Sequence, residues 1–442
     1  MKIVKTLFAI QVQVMQFFLK VLLSGKNTLD SSEMGTGKTV VACHLAKAYG
    51  KPVAVIAPKA VLPSWEREME EVGITPIFIS NLEKLKTGRT DYLTKTKGPR
   101  GGAYYVWDEK ALPTDTLILV DEIHKCKGMN TANSKMLIAL VTQGYRIHGM
   151  SGTPCEDATE MNALGLMLGL HSGKFAKGGL DHFWTFMKRF GVTQDQWRAY
   201  KMTDRSKLPL LRSLMYGITT NRLTSADFPD AFRNNRVFVR PINFRSNAKI
   251  MAAYTNLGIT PKIIDDFIQR GTVTDSEHVL VRLLKARQLA ESYKAVDLAE
   301  MAEDAMANGK SVVLFVNFSD TVEALKLKLK CDSIDGSQKE AERQAVIDKF
   351  QRDEAHCIVC NISAGGTGIS LHDVNGTRPR VSLISPTFNS KDYQQVLGRI
   401  HRNGAKSDAL QEVLVAANSI EEHVMKSINR KIANHSDMHD QI

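Results

Sequence analysis

Seven short runs of apolar residues recur along the chain and alternate with segments that have helical spacing. Within each run the apolar residues are continuous rather than alternating with polar ones, which is typical of strands buried on both faces of a parallel sheet. Strands that alternate with helices predict doubly wound α/β domains. The runs are PVAVIAP (52–58), DTLILVDE (115–122), YRIHGMSGTP (145–154), SVVLFVNF (311–318), HCIVCNIS (356–363), RVSLISP (380–386) and QEVLVAANS (411–419).

The runs fall into two clusters, and 442 residues leave room for two or three domains. Between the clusters, residues 158–215 have helical spacing without a good strand, and residues 216–245 have the composition of an irregular connector. We therefore predict a first α/β lobe over 1–157, a helical insertion and connector over 158–245, and a second α/β lobe over 246–442.

The chain is basic, with 58 Lys and Arg against 47 Asp and Glu and a net charge of +11. A surface of this kind attracts polyanions, nucleic acid above all, although a solubilising excess of lysine gives the same total. One stretch, 84–102, concentrates the charge and indicates either a phosphate-contacting loop or hairpin, or a solvated surface loop. Its charged residues are Lys84, Lys86, Arg89, Lys95, Lys97 and Arg100, against the single acid Asp91.

Neither the cysteines nor the N-terminus indicates an exported protein. The six cysteines do not suggest a disulfide framework, and the single C-x-x-C, Cys357 to Cys360, lies inside an apolar run typical of a buried strand. The N-terminal stretch has early lysines and apolar residues, but glutamines interrupt it and no cleavage site follows. We expect a buried first helix and an intracellular, soluble protein without a membrane partner.

The stretch SSEMGTGKT (31–39) ends like a phosphate-binding loop, whose strict pattern is G-x-x-x-x-G-K-[ST]. Ser32 replaces the first glycine, so the stretch is either a variant phosphate loop or a flexible turn. A helical pattern follows, and a helix start presents backbone N–H groups and a positive dipole end to a phosphate. In a phosphate loop Lys38 reaches the β- and γ-phosphates and Thr39 holds Mg²⁺, with Gly35, Thr36 and Gly37 shaping the turn.

Two carboxylates follow the apolar run 117–120, in the order Asp121 and Glu122. Alone, they are consistent with a strand that ends in solvent. Together with the upstream loop they predict nucleotide hydrolysis, with Asp121 holding Mg²⁺ and Glu122 orienting the attacking water. In the second cluster, Arg399 and Arg402 are spaced to share one helix face and to act as arginine fingers on a transition-state anion, although a solvated basic face is the alternative.

With these motifs in order, the chain resembles helicase superfamily two, and within it the Swi/Snf-type double-stranded DNA translocases. The resemblance spans residues 5 to 425 and implies two RecA-like lobes that share an ATP site. The stretches that carry it are LFAIQ, SSEMGTGKT (motif I), IAPKAVLPSWEREME, ISNLEKL, DEIHKCK (motif II), MSGTPCED (motif III), SVVLFVNFSD (motif IV), SAGGTGISL (motif V) and QQVLGRIHRNGA (motif VI), with NRLTSADFP as the arginine-containing connector.

The resemblance also implies roles for single residues. Gln11 would contact adenine, and Gly368 would contribute to the ATP site from the second lobe together with Arg399 and Arg402. The candidate DNA-backbone contacts are Lys59, Trp65, Asn317, Gly366 and Thr367. Trp65 is equally consistent with a packing role.

The chain departs from the family pattern at three places, of which the first, at Ile123, should change packing only. Ile123 stands where alanine is commoner, the connector has Asn221-Arg222 where two arginines are usual, and Glu156-Asp157 follows motif III where an asparagine is common. The second departure puts the bracing role of the connector in doubt. No bromodomain-like, chromodomain-like or zinc module is recognisable, so nucleosome remodelling is not implied.

We therefore expect an ATP- and Mg²⁺-dependent translocase or helicase that acts on double-stranded or branched DNA in recombination, replication-fork or repair processing. A strand-separating DNA or RNA helicase, or the motor subunit of a restriction-like defence system, remains the alternative. A non-hydrolysing DNA clamp is disfavoured, because Lys38, Glu122 and both arginines are present.

Overall fold

The computed structural model describes residues 6–97, 102–173, 180–194, 200–228, 231–270, 276–365 and 369–439. The chain divides into two compact units, of which the first runs to Asp227 and the second comprises Phe228–Ala433. Each unit is built around one six-stranded parallel sheet with helices, so the predicted fold class of two α/β lobes is confirmed. The domain bounds given above remain a prediction.

The sheet of the first unit has the strand order β11-β1-β8-β7-β2-β3. All pairings in it are parallel, so the carboxyl ends of its strands lie at one edge. The strands are β1 (Thr28–Asp30), β2 (Val53–Ile56), β3 (Ile79–Ser80), β7 (Leu117–Asp121), β8 (Arg146–Met150) and β11 (Thr220–Asn221). The helices of this unit are α1 (Ala9–Leu23), α2 (Lys38–Tyr49), α3 (Leu62–Val72), α4 (Leu82–Leu85), α5 (Ala132–Thr142), α6 (Met161–Met167), α7 (Phe183–Arg189) and α8 (Leu208–Ser213).

The sheet of the second unit has the strand order β12-β17-β16-β13-β15-β14, again wholly parallel. Its strands are β12 (Asn235–Ile242), β13 (Ser311–Val316), β14 (Asp332–Ile334), β15 (Cys357–Asn361), β16 (Arg380–Ile384) and β17 (Ala409–Ala416). Its helices are α9 (Asn247–Thr255), α10 (Pro261–Arg270), α11 (Ser276–Ala307), α12 (Ser319–Leu329), α13 (Glu340–Gln351), α14 (Ile362–Gly365), α15 (Ser390–Ile400) and α16 (Ile420–His439). All seven apolar runs form strands, and every residue of β13 and β15 is buried, as continuous runs predict.

Two short antiparallel sheets add to the first unit. The basic stretch 84–102 forms a hairpin of β4 (Arg89–Thr90) and β5 (Leu93–Lys97), one of the alternatives predicted for it, and β6 (Ala103–Trp107) follows. The helical insertion contains the hairpin of β9 (Val192–Gln194) and β10 (Tyr200–Met202). The prediction that residues 158–215 lack a strand is therefore wrong. The hairpin escapes sequence analysis because three-residue strands with mostly exposed side chains have no apolar run.

The segment predicted as an irregular connector, 216–245, supplies an edge strand to each sheet. Strand β11 pairs with β1, and β12 pairs with β17 over eight residues. The first strand is too short to give a pattern, and the second is exposed along nearly its whole length. Neither therefore has the buried apolar signature by which the other strands were predicted.

None of the described helices is long and apolar enough to cross a membrane. The described residues also contain no cluster of histidine, cysteine and carboxylate side chains that could hold a metal ion. Cys357 and Cys360 are buried in β15, in agreement with their interpretation as strand residues.

The core of the first unit contains a neutral histidine, and its titration makes stability depend on pH. His148 is fully buried in β8, its Nδ1 lies 2.8 Å from Thr28 Oγ1, and burial lowers its pKa to about 3. Because the unfolded chain takes up a proton near pH 6.5 and the folded chain does not, this residue's contribution to stability is complete above that pH and is lost as pH falls.

We expect the titration of His148 to lower the free energy of unfolding by about 2 kcal/mol when the pH falls from 7 to 5. Denaturant unfolding of the natural chain and of His148→Gln at both pH values measures this, because the glutamine variant keeps a polar side chain that does not titrate. An equal loss of stability on acidification in the two proteins would contradict it.

Candidate active site

The loop between β1 and α2 has the turn geometry of a phosphate-binding loop. Gly35 and Gly37 have φ of +81° and +89°, whereas Ser32 is not among the residues with positive φ. A serine can therefore replace the first glycine of the pattern without strain, because only glycine adopts positive φ at no steric cost. The Ser32 hydroxyl is used differently, since it accepts the N–H of Leu223 at 2.8 Å.

Lys38 is folded back onto this loop. Its Nζ donates to the carbonyl oxygens of Ser32 and Glu33 at 2.7 and 2.8 Å. The first bond between the loop and α2 runs from the Val41 N–H to the Gly37 carbonyl at 3.0 Å. The N–H groups that precede it are those that a helix start leaves without an intrahelical partner, and they suit an anion. Thr39 lies half-buried in the same first turn.

Gln11 braces the phosphate loop, and its predicted contact with adenine stays a prediction. Its Nε2 donates to the carbonyl of Thr36 at 2.7 Å, and its oxygen accepts the N–H of Phe8 at 2.9 Å. A Cβ at Gly37 would lie 2.5 Å from Gln11 Nε2, so the amide is packed directly against the turn. With only 4% of its surface exposed, Gln11 acts here on the backbone of the loop.

The two carboxylates stand at the carboxyl end of β7, two strands from the loop. Met150 in the intervening strand β8 is in register with both Asp30 and Asp121, so the phosphate loop and the carboxylates start at the same level. Asp121 Oδ1 accepts the N–H of Glu122 at 2.9 Å. Glu122 has φ of +51°, an uncommon left-handed conformation for a residue other than glycine and a sign of a constrained position.

The charged side chains of this site are buried, and the loss of solvation shifts their pKa values. Burial raises the pKa of Asp30 and lowers the pKa of Lys38, and the attraction between these two charges opposes both shifts. Burial, and then repulsion from Glu122, raise the pKa of Asp121 to about 6, although Trp65 and Lys38 lower it. Such a carboxylate pair beside a single lysine is poised to accept a further cation.

The carboxylates also connect to motif III through a histidine that sequence reasoning did not single out. His124 Nδ1 lies 3.1 Å from Glu122 Oε2 and 3.0 Å from Ser151 Oγ. Ser151 in turn donates its backbone N–H to the carbonyl of Asp30 at 3.0 Å. The ends of β1, β8 and β7 are thus joined by one hydrogen-bond network, in which a shift at Glu122 can be transmitted to Ser151.

Arg222 braces the phosphate loop, in spite of the departure that put this role in doubt. Its Nη1 donates to the carbonyls of Ser31 at 2.7 Å and Gly152 at 3.2 Å. Its Nη2 lies 3.6 Å from a carboxylate oxygen of Glu33. One arginine therefore ties motif I to motif III, and Asn221 contributes its backbone to the sheet instead.

Trp65 packs beneath the carboxylates, which is the alternative to a nucleic-acid contact. Its side chain is 1% exposed, and its Nε1 donates to Asp121 Oδ2 at 3.1 Å. A buried indole cannot reach a phosphate, so we withdraw it as a DNA contact. Lys59, at the carboxyl end of β2, is exposed and keeps that assignment as a proposal.

In the second unit the two arginines do not share a helix face as predicted. Helix α15 ends at Ile400, His401 is extended, and Arg402 lies beyond the helix. Arg402 Nε donates to the Gly398 carbonyl at 3.0 Å, which satisfies one of the carbonyls that a helix end leaves open. Burial lowers the pKa of Arg402 to about 10, so the side chain stays charged at neutral pH.

Arg399 has different surroundings from Arg402. It is 4% exposed, and its Nη1 donates to the carbonyl of Ile369 at 3.0 Å. The Arg399 carbonyl accepts the N–H of Leu371 at 2.9 Å. Arg399 therefore ties α15 to residues 369–371, which are the end of motif V.

Asn317 is held by a buried acidic residue. Its Nδ2 and its backbone N–H both donate to the carboxylate of Glu291, at 2.6 and 2.9 Å, and its Oδ1 accepts from Arg287 at 3.3 Å. The side chain is half-buried and aligned by these bonds, so its role as a DNA contact stays a proposal. Gly366, Thr367 and Gly368 lie outside the described residues.

The residues of the first unit fit a Mg²⁺-nucleotide. Hydroxyl and carboxylate oxygens, from Thr39 and Asp121, are the hard ligands that Mg²⁺ prefers, and the raised pKa of Asp121 marks a carboxylate that a cation would stabilise in its charged form. Lys38 and the N–H groups at the start of α2 complete an anion site at the same sheet edge.

Comparisons with known proteins find sequence similarity to helicases. A family model described as the helicase conserved C-terminal domain matches residues 294–404. A protein of Acanthamoeba polyphaga mimivirus, named a putative ATP-dependent RNA helicase, is 28% identical over 96% of this chain and 81% of its own length. The SWI/SNF-related matrix-associated actin-dependent regulator of chromatin subfamily A-like protein 1 of Xenopus tropicalis is 24% identical over 91% of this chain.

The chain spans only 42% of that frog protein. Among solved structures, the Sulfolobus solfataricus SWI2/SNF2 ATPase core in complex with dsDNA is 19% identical, with a TM-score of 0.39 over 99% of this chain and 93% of its own.

Proposed function

Because this chain is a superfamily-two helicase of the Swi/Snf type, and so an ATP-hydrolysing enzyme, we propose that it is a motor that translocates along double-stranded DNA. In this proposal the phosphate loop of the first lobe binds ATP, and Arg402 of the second lobe completes the ATP site. Branched or protein-bound DNA, as in recombination, replication-fork or repair processing, is the proposed substrate.

The observation that carries the proposal is the alignment of the phosphate loop, Ser151 and the Asp121–Glu122 pair along the carboxyl ends of β1, β8 and β7. Mg²⁺, when bound, would neutralise phosphate charge. Lys38 would leave the carbonyls of Ser32 and Glu33 for the β- and γ-phosphates, and Glu122 would orient the attacking water. Such a site works by positioning and charge, without a covalent intermediate.

The network from Glu122 through His124 to Ser151 supports coupling between hydrolysis and movement. A change in hydrogen bonding at Glu122 alters the partners of Ser151, which is bonded to β1, and Arg222 links the same region to the connector. We propose that this bonded chain transmits the nucleotide state to the segment that leads into the second lobe.

An ATPase titration tests the proposal against its rivals. Turnover is measured with duplex, single-stranded, forked and four-way-junction DNA and with RNA, at one fixed salt concentration. We expect the largest stimulation with duplex or branched DNA. Stimulation by single strands alone would contradict a duplex motor, and no stimulation by any nucleic acid would contradict the proposed function altogether.

A strand-separating RNA helicase is the second candidate, and it is favoured by the name of the mimivirus relative, a putative ATP-dependent RNA helicase. The same titration separates the two, because an RNA helicase is stimulated by RNA and not by duplex DNA. A strand-displacement assay on an RNA duplex and a DNA duplex of the same sequence then gives the activity directly.

We expect Trp65→Phe to raise the Mg²⁺ concentration for half-maximal ATPase about tenfold. The variant keeps an aromatic side chain, smaller than the indole, but loses the N–H that bonds Asp121, and without that bond the pKa of Asp121 rises further. The measurement is a Mg²⁺ titration of ATPase at pH 7, alongside DNA binding over a salt series. Lys59→Gln is the comparison, since it should leave the Mg²⁺ requirement alone and reduce the salt dependence of DNA binding. Weaker DNA binding by Trp65→Phe with an unchanged Mg²⁺ titration would contradict the packing role.

A further inference from the structure

The first unit has a cationic element that the proposed ATP site does not use. We call it the basic insert: helix α4 and the sheet β4–β5–β6, residues 82–97 and 102–107. Its described cations are all exposed, and they outnumber the acids Glu83 and Asp91. These cations are Lys84, Lys86, Arg89, Lys95 and Lys97.

The cations of the basic insert have no acidic partners among the described residues. None of the five takes part in an ion pair there, whereas exposed cations elsewhere do, such as Lys51 with Asp115 and Arg240 with Glu412. Their charge is therefore uncompensated locally. A concentration of unpaired ammonium and guanidinium groups is the electrostatic pattern of a surface that binds phosphates.

The basic insert is a fixed platform rather than a loose loop. Trp107 is buried, its ring stacks with Phe78, and its Nε1 donates to the Met136 carbonyl at 3.2 Å. The Trp107 backbone exchanges two hydrogen bonds with the Gln143 side chain, at 2.9 and 2.8 Å. These contacts attach the base of the sheet to helix α5 and its C-terminus, so its cations are held on ordered backbone.

The strand register aligns two of the lysines. Lys95 is opposite Tyr105 and Lys97 is opposite Ala103, so both lysines lie on the same face of the sheet as Leu93 and Tyr105. Leu93 and Tyr105 are buried on this face, whereas the two lysines are exposed. Their separation of two residues, about 7 Å along the strand, is close to the spacing of neighbouring phosphates in one nucleic-acid strand.

Two glycines of the basic insert lie close to lysine side chains. Gly88 has φ of +66°, and a Cβ on it would lie 2.3 Å from Lys95 Cβ, so the turn before β4 packs against the lysine stem. A Cβ on Gly102 would lie 3.5 Å from Lys135 Nζ, which brings a cation of α5 to the start of β6.

The basic insert also lies next in the chain to a proposed nucleic-acid contact region. It follows β3, which pairs with β2, and Lys59 comes from the carboxyl end of β2. Because the two strands are parallel, the segments that leave them start at the same edge of the sheet.

We propose that the basic insert is a second phosphate-binding surface, which extends the contact of the first lobe with duplex DNA beyond the Lys59 segment. The inference rests on the proposed function, since it needs a nucleic-acid substrate.

The test compares two double variants that remove the same charge. Lys95→Gln with Lys97→Gln neutralises the basic insert. Lys20→Gln with Lys26→Gln is the matched control, because both lysines are exposed and precede β1, at the amino end of the strand. Binding to a short duplex of arbitrary sequence is measured by fluorescence anisotropy over a salt series, and melting curves establish that each variant is folded.

We expect the slope of log K against log salt concentration to become less steep by about 1.8 in the insert variant, since each lost phosphate contact removes about 0.9. This corresponds to binding that is weaker by roughly 60-fold at 0.1 M salt if the two proteins bind equally at 1 M. The control variant should keep the natural slope.

The outcomes separate this inference from the proposed function. An insert variant with the natural slope and affinity overturns the inference, even when duplex DNA still stimulates ATPase. A natural protein whose ATPase no nucleic acid stimulates overturns the proposed function itself. A loss of slope that is equal in the insert and control variants also overturns the inference, because it shows general attraction between a basic protein and DNA.

Discussion

Lys38→Ala is expected to lower the ATP turnover number by about 10³-fold or more, because it removes the only ammonium group placed on the phosphate loop among the described residues. The nearby carboxylates Asp30, Glu122 and Asp121 would then face the triphosphate without a protein cation from this loop. Steady-state ATPase in saturating DNA, together with nucleotide binding measured with a fluorescent ATP analogue, checks the result.

Binding of duplex DNA should be nearly unchanged in Lys38→Ala, and so should its dependence on salt, since Lys38 is turned inward to backbone carbonyls. Lys47→Ala is the matched control, because Lys47 lies exposed in the last turn of the same helix α2 and should keep full turnover. Natural turnover in Lys38→Ala would mean that the stretch 31–39 is a turn and not a phosphate loop.

The parts of this fold that the sequence predicts are those whose signal is local. The buried strands β13 and β15 are continuous apolar runs, and the loop 31–39 carries its own glycines at the two positions with positive φ. Such features depend on a few neighbouring residues and their backbone preferences. They can therefore be read without knowledge of what packs against them.

The parts that escape prediction depend on contacts between distant residues. Arg222 reaches the loop carbonyl of Ser31, 191 residues away in the chain, and Trp65 reaches Asp121 over 56 residues. Gln11, whose contact with adenine stays a prediction from the resemblance, donates to the Thr36 carbonyl. In each case the residue type was noticed, but only the packed structure shows which partner takes its hydrogen bond.

Arg402 and Arg399 show the same limit within one motif. Their spacing suits a shared helix face, but helix α15 ends between them, because His401 leaves the helical conformation. One guanidinium is then folded into the unit against Ile369, and the other caps the helix end at Gly398. This difference assigns them different roles, which predicts that their substitutions differ in kind.

Arg402→Ala should lower kcat for ATP by about 10³-fold in saturating DNA, the range over which an arginine finger acts, with a much smaller change in KM. Burial lowers the pKa of Arg402 to about 10, so the side chain is still charged at neutral pH. The loss of solvation that lowers this pKa would be offset by the negative charge that develops on the phosphate. Its hydrogen-bond acceptor, the Gly398 carbonyl, is a helix-end group that water can satisfy, and thermal stability should therefore change little.

Two further variants serve as comparisons for Arg402→Ala. Arg402→Lys should recover only part of kcat, because a lysine supplies a point charge without the planar fork of donors. Arg399→Ala should instead lower the free energy of unfolding by about 1–3 kcal/mol, because it leaves the Ile369 carbonyl without its buried donor. If Arg402→Ala raised KM and left kcat unchanged, Arg402 would be a ground-state phosphate ligand, and the transition-state role would have to be abandoned.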